Sequence, residues 1–171
     1  MTDTSANEPA TVSEDERAVR ALYADLLRCW NREDGDSFAA LFEEDGTIVI
    51  FDGTLLNGRA EIAAQFGSIF KRFDTPTFVQ IVRQVRFLSH DLAIVYGVVG
   101  MYSLPDLLIN PMLNAVQTLL AQHRHGVWRI VHFQNTRADF PGRPDLVAKM
   151  TSALQRSADA QTKRASTQST T

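Results

Sequence analysis

One cysteine in 171 residues, Cys29, leaves no partner for an intramolecular disulfide and no thiol pair for redox chemistry. A reducing, cytoplasmic setting is therefore expected. Cys29 stands beside Trp30 in an apolar helical pattern and reads as a small buried hydrophobe. No apolar stretch reaches the ~18 residues that span a bilayer. The first residues, MTDTSANEPATVSEDE, are polar and acidic, unlike the basic start and apolar run of a signal peptide. No run of Lys and Arg is long enough to track a phosphate backbone, and the formal net charge is −3. Nucleic acid and membrane are thus not expected as partners. The chain also lacks a glycine-rich phosphate loop, a CxxC pair and a Ser-His-Asp spacing, so no cofactor is expected.

What remains is an ordinary globular composition, 44% hydrophobic and 22% charged, long enough for one domain with a real core. Its centre is Asn114 to Arg137, where two runs rich in apolar and β-branched residues flank a polar break at His125-Gly126. That pattern predicts an antiparallel hairpin. Neither alternate set of the hairpin is purely polar, so both faces are expected to be at least partly covered. Gln134, Asn135 and Thr136 end an apolar run, as a sheet margin or a cavity lining would require.

Residues 1–12 read as a disordered leader. Ser13 with Glu16 three positions on forms a capping box, followed by Val19, Leu22, Tyr23, Leu26, Leu27 and Trp30 at helical spacing. A second, short helix presents Phe38, Leu41 and Phe42. Asp52-Gly53 predicts a hairpin between Thr47–Phe51 and Thr54–Asn57. A third helix over Ala60 to Phe73 carries Ile62, Phe66, Ile69 and Phe70 on one side, until Pro76 forbids it. Two strands follow, Thr77 to Leu88 and Leu92 to Met101, then an aliphatic loop, Tyr102 to Leu113, whose exposure would be costly. The single α+β domain is placed at 13–140, a terminal helix at 141–157 and a polar disordered tail at 158–171.

Helices followed by long antiparallel strands predict an α+β fold, a curved antiparallel sheet wrapped as a cone around three N-terminal helices. Such a cone holds a cavity at its open end. The first helix with its continuation LLRCWNREDGDSFAALFEEDG, FDGT with LNGRAEI, and GVWRIVHFQNTR carry a resemblance to the nuclear transport factor 2-like superfamily. This group includes ketosteroid isomerase and the SnoaL-like cyclases, and within it the chain looks most like the SgcJ/EcaC group of natural-product contexts. The resemblance implies the cone, a hydrophobic, polycyclic or polyketide-like ligand, and, if any reaction, cofactor-free isomerase, cyclase or oxygenase chemistry. Ketosteroid isomerase places a carboxylate base inside its cone, and no inward Asp is legible on the long strands here.

Arg83 shares its phase with apolar strand neighbours and His132 shares its own with Trp128, Ile130 and Gln134, making these two the catalytic candidates. Each has a plainer reading, Arg83 as an ion pair or a bulge and His132 as a hydrogen-bonded core residue. Trp30, Phe38, Phe51 and Phe66 are expected as an apolar wall, with Tyr96, His123 and Gln134 as polar contacts and Leu108 from a gating loop. Asn135 joins them through the family motif. His123, His125 and His132 do not converge as metal ligands should, so no metal is expected. A carrier that binds without turnover, or a dimerisation module with a vestigial pocket, fits the same features. A homodimer through the outer sheet face is expected in every case.

Overall fold

The computed structural model describes residues 12–168. The leader expected over 1–12 lies almost wholly outside them. Ser13 accepts from the Glu16 amide and starts α1, Glu14–Asn31, which buries Val19, Leu22, Tyr23, Leu26 and Leu27 on one face. Asp34 caps α2, Gly35–Ala40, by accepting from the Ser37 amide. The helix ends sooner than its apolar residues imply, because Phe42 already belongs to β1, Phe42–Val49. The Ile130 amide bonds to the Leu41 carbonyl, and the Arg59 Nε bonds to that of Phe42, so this backbone is committed to the sheet. A turn around Asp52-Gly53 leads into β2, Leu55–Asn57, and Gly58 at φ 84° opens α3, Arg59–Arg72.

The long strands are β3, Thr77–Ser89; β4, Leu92–Tyr102; β5, Ala115–Arg124; and β6, Val127–Arg137. One curved six-stranded sheet results, in the order β2-β1-β6-β5-β4-β3. It is α+β as expected, with one departure from an antiparallel sheet, since β1 pairs parallel with β6. Parallel neighbours need a long connection, and here every element from β2 to β5 lies between them. His125 and Gly126 both take positive φ, which closes the β5–β6 hairpin tightly.

Two cores lie on opposite faces of the sheet. Inside the curve, α1, α2 and α3 bury Tyr23, Leu26, Phe38, Ile62 and Phe66 against Ile48, Val95, Leu119, Ile130 and Phe133. Outside it, α4, Pro144–Gln168, lays Met150, Leu154 and Ala158 on Val79 and Ile109. The tail expected from 158 is helical through Gln168. No Gly or Pro interrupts it after Pro144, and Thr162 and Thr167 hydroxyls bond back to carbonyls one turn earlier.

Candidate functional site

A cavity of ≈ 230 Å³ opens inside the curve of the sheet. Its aromatic wall is built by sequence-distant residues that reach one another across the helices. Trp30 sits edge-on to Phe66 at 6.0 Å between ring centroids, and Phe38 stacks on Phe66 at 4.3 Å. The Trp30 indole N–H donates to the Pro76 carbonyl at 2.9 Å, which holds the ring in place. Leu27, Ile48, Ile50, Ile69, Phe78 and Phe133 complete the apolar lining. A second hollow of ≈ 250 Å³ continues outward between Phe73, Met101 and Leu113, sharing Trp30, Phe51, Ile69, Phe78 and Asn135 with the first.

Among the described residues, three polar side chains line the inner cavity, Asp52, Gln117 and Asn135. Asp52 is the ionisable one among the described lining residues, and it stands exposed in the β1–β2 turn. Hydrogen bonds from Thr54, the backbone amide first, hold its carboxyl below the usual range, so it is a carboxylate at neutral pH. Gln117 is 1% exposed and joins two others into a chain. The Tyr23 hydroxyl donates to Gln117 Oε1 at 2.7 Å, and Gln117 Nε2 donates to Asn135 Oδ1 at 3.3 Å. Burial pushes the Tyr23 phenol far above its ordinary value, so it keeps its proton.

A family model for the SnoaL-like domain matches residues 11–104. The chain belongs to the SnoaL-like family. Among curated proteins none matches it. Solved structures do. A domain of unknown function with a cystatin-like fold from Nostoc punctiforme is 25% identical, with a TM-score of 0.71 over 94% of this chain and 100% of that one. A nuclear transport factor 2-like protein of unknown function from Shewanella oneidensis is 21% identical, with a TM-score of 0.58 over 71% and 98% of the two chains. A ketosteroid isomerase-like protein from Erwinia carotovora atroseptica is 19% identical, with a TM-score of 0.59 over 74% and 98%. The last two likenesses show the fold alone.

Within this SnoaL-like domain, the residues expected at the site divide cleanly. Trp30, Phe38, Phe51, Phe66 and Asn135 line the cavity. His132, Gln134, Tyr96, His123, Arg83 and Leu108 do not. A bulge at Val131 explains the first two. Ala121 pairs with Ile130, but Leu120 pairs with His132, so one residue of β6 has no opposite number. The extra residue reverses the strand's phase. Beyond it Phe133 and Asn135 face inward, while His132 and Gln134 face out. His132 Nδ1 lies 2.8 Å from Thr47 Oγ1 on that outer face.

Tyr96 alternates with the fully buried Val95 and faces outward as well. Arg83 occupies the bulge between the Val82–Gly97 and Gln84–Tyr96 pairs and is exposed, the plainer of its two readings. His123 packs its ring on Trp128 at 5.1 Å, at the opposite end of the hairpin from Gln117 and Asn135. Leu108 is 68% exposed, whereas the next residue, Ile109, is buried in the core under α4. The aliphatic loop therefore docks on the outside of the sheet, and of its expected apolar contacts Leu113 reaches the mouth.

Gln117 and Tyr23 are site residues that sequence reasoning missed. The signal for Gln117 was present, a lone amide within the apolar run Ala115 to Ala121. Tyr23 carried none, because a tyrosine on the apolar face of a helix is an ordinary core residue. Among the described residues, no group of three His, Cys, Asp or Glu side chains could hold a metal ion. No described helix is long and apolar enough to cross a membrane.

Proposed function

We propose that this SnoaL-like domain binds a hydrophobic, polyketide-like or polycyclic small molecule in the inner cavity and holds it there without acid–base chemistry from the cavity interior. The observation that carries this reading is the lining itself, aromatic and aliphatic on nearly every side with two neutral amides as its inner polar groups. Ligand sites combine an apolar wall with few, well-placed polar groups. His132 and Arg83 do not line the cavity, and Asp52 is a rim carboxylate occupied by Thr54, so among the described residues a proton-transfer role has no interior group to perform it. Membership of the SnoaL-like family supports a small hydrophobic ligand, the resemblance to the SgcJ/EcaC group supports a natural-product setting, and the single cysteine supports a cytoplasmic one. The reading includes a homodimer through the uncovered part of the outer sheet face, where Val116 is 39% exposed.

The test is fluorescence titration of a Trp128→Phe variant, in which Trp30 is the remaining indole. Fluorene and larger polycyclic hydrocarbons should quench it saturably, with dissociation constants on the order of micromolar. Ile48→Phe, which narrows the cavity without adding an indole, should weaken or abolish the quench in the same background through loss of binding, read independently by equilibrium dialysis. Absence of saturable binding by any of these probes to the wild-type protein would reduce the cavity to a packing void.

A further inference from the structure

The chain of hydrogen bonds through Gln117 has a direction, and that direction specifies the ligand. Tyr23 is fully buried and protonated, and Gln117 is the one partner its hydroxyl has among the described residues. If Gln117 turned its amide nitrogen toward Tyr23, the phenolic hydrogen would be buried with no acceptor, the costlier of the two arrangements. Tyr23 must therefore donate, which points Gln117 Oε1 at the phenol and Gln117 Nε2 at Asn135. Asn135 Oδ1 accepts that bond at 3.3 Å. Each amide has one oxygen and one nitrogen, so the orientation passes along the chain. Its last member is the Asn135 NH₂, from which no described residue accepts and which belongs to a side chain lining both hollows.

We propose that the cavity selects a neutral ligand bearing a hydrogen-bond acceptor, a ketone or quinone carbonyl, seated on Asn135 Nδ2, and that Tyr23 is the positioning residue that enforces this polarity. The inference rests on the binding role proposed above and adds the ligand's functional group. It also accounts for a polar side chain at position 117 among the otherwise apolar inward residues of β5, Ala115, Leu119 and Ala121, since Gln117 is what connects a buried phenol to the cavity wall. A donor group seated at Asn135, away from the rim carboxylate of Asp52, would meet an NH₂ and be left unpaired against an apolar wall, which is the stronger source of discrimination.

Three tricyclic compounds of nearly equal shape separate the possibilities: fluorenone with an acceptor, carbazole with a donor, and fluorene with neither. Equilibrium dialysis against the wild-type protein should give fluorenone about tenfold tighter than carbazole, the scale of one hydrogen bond made against one donor stranded. In Tyr23→Phe the amides are released from their fixed direction, and the fluorenone-to-carbazole ratio should fall toward unity, with fluorene as the reference for any general change in affinity. Asn135→Asp replaces the NH₂ with an oxygen, so carbazole should then bind tighter than fluorenone. This second variant keeps the question answerable should Tyr23→Phe fold poorly. Equal binding of fluorenone and carbazole to the wild type, with fluorene also bound, overturns the polarity and leaves the cavity's binding role standing. Failure of all three to bind overturns both.

Discussion

Gly97 shows how a single missing methyl group can set a site. It lies on β4 opposite Gln117, and a Cβ built there would run into the Tyr23 hydroxyl and ring. The phenol reaches Gln117 only because the strand leaves that space. Gly97→Ala should therefore push the ring away and cost about 1–3 kcal/mol, the usual range for overpacking a full core. Urea denaturation would read this as a lower midpoint. Made in a Tyr23→Phe background, Gly97→Ala should cost less than in the wild type, because the most crowded atom, the hydroxyl oxygen, is gone. An equal cost of Gly97→Ala in the two backgrounds would mean the clash lies with the ring and not the hydroxyl. None of this was legible in LAIVYGVVGM, which reads correctly as a covered strand but says nothing of which side chain covers it. Asn135 was legible through its family motif, whereas period-2 reasoning chose Gln134, its neighbour. The bulge at Val131 makes the difference, and a bulge with no Gly or Pro leaves no mark on the sequence.

At the scale of elements, the sheet divides the chain's apolar surface between two unrelated tasks. Helices α1 to α3 fill the inner face and frame the cavity, while α4 and the aliphatic loop seal part of the outer face over β3 and β4. The loop is anchored by side chain as well as by packing. Gln155 on α4 accepts from the Ile109 amide at 2.9 Å and donates to the Leu107 carbonyl at 3.1 Å. The part of the loop tied in this way, Leu107 to Ile109, contributes to stability from outside the cavity, and Leu113 at its end is the part that reaches the mouth. Leu154 is fully buried beneath it, so Leu154→Ala should cost about 2–5 kcal/mol. Fluorene affinity, measured well below the variant's melting temperature, should be unchanged. A variant that lost affinity in proportion to stability would show that α4 and the cavity are coupled through the sheet. The sequence carried the loop's need for an apolar partner. It could not identify that partner, because α4 was expected to be shorter and no local pattern says which face of a sheet a terminal helix will choose.

For the whole molecule, the open question is what covers the rest of the outer face. The sheet is curved, α4 covers its β3–β4 side, and Tyr96, Thr118, Leu120 and His132 stand half-buried beside the exposed Val116. A face of this kind, apolar in its centre and rimmed by Gln134, Thr136 and Arg86, suits a second copy of itself. A stable isologous pair needs about 800 Å² from each partner, which several neighbouring strands can supply and one loop cannot. Sedimentation equilibrium at roughly 10 μM should then find a dimer, since pairs of this size commonly hold at micromolar concentration or below. Val116→Asp together with Leu120→Asp should yield monomers, because two carboxylates on the outward face of each copy's β5 would be buried without partners. The same variant should still bind fluorene, since the inward residues of β5 are Gln117 and Leu119, in the opposite phase. A wild-type protein that sediments as a monomer would leave this face to solvent, and the half-buried His132–Thr47 pair would then be an ordinary surface contact.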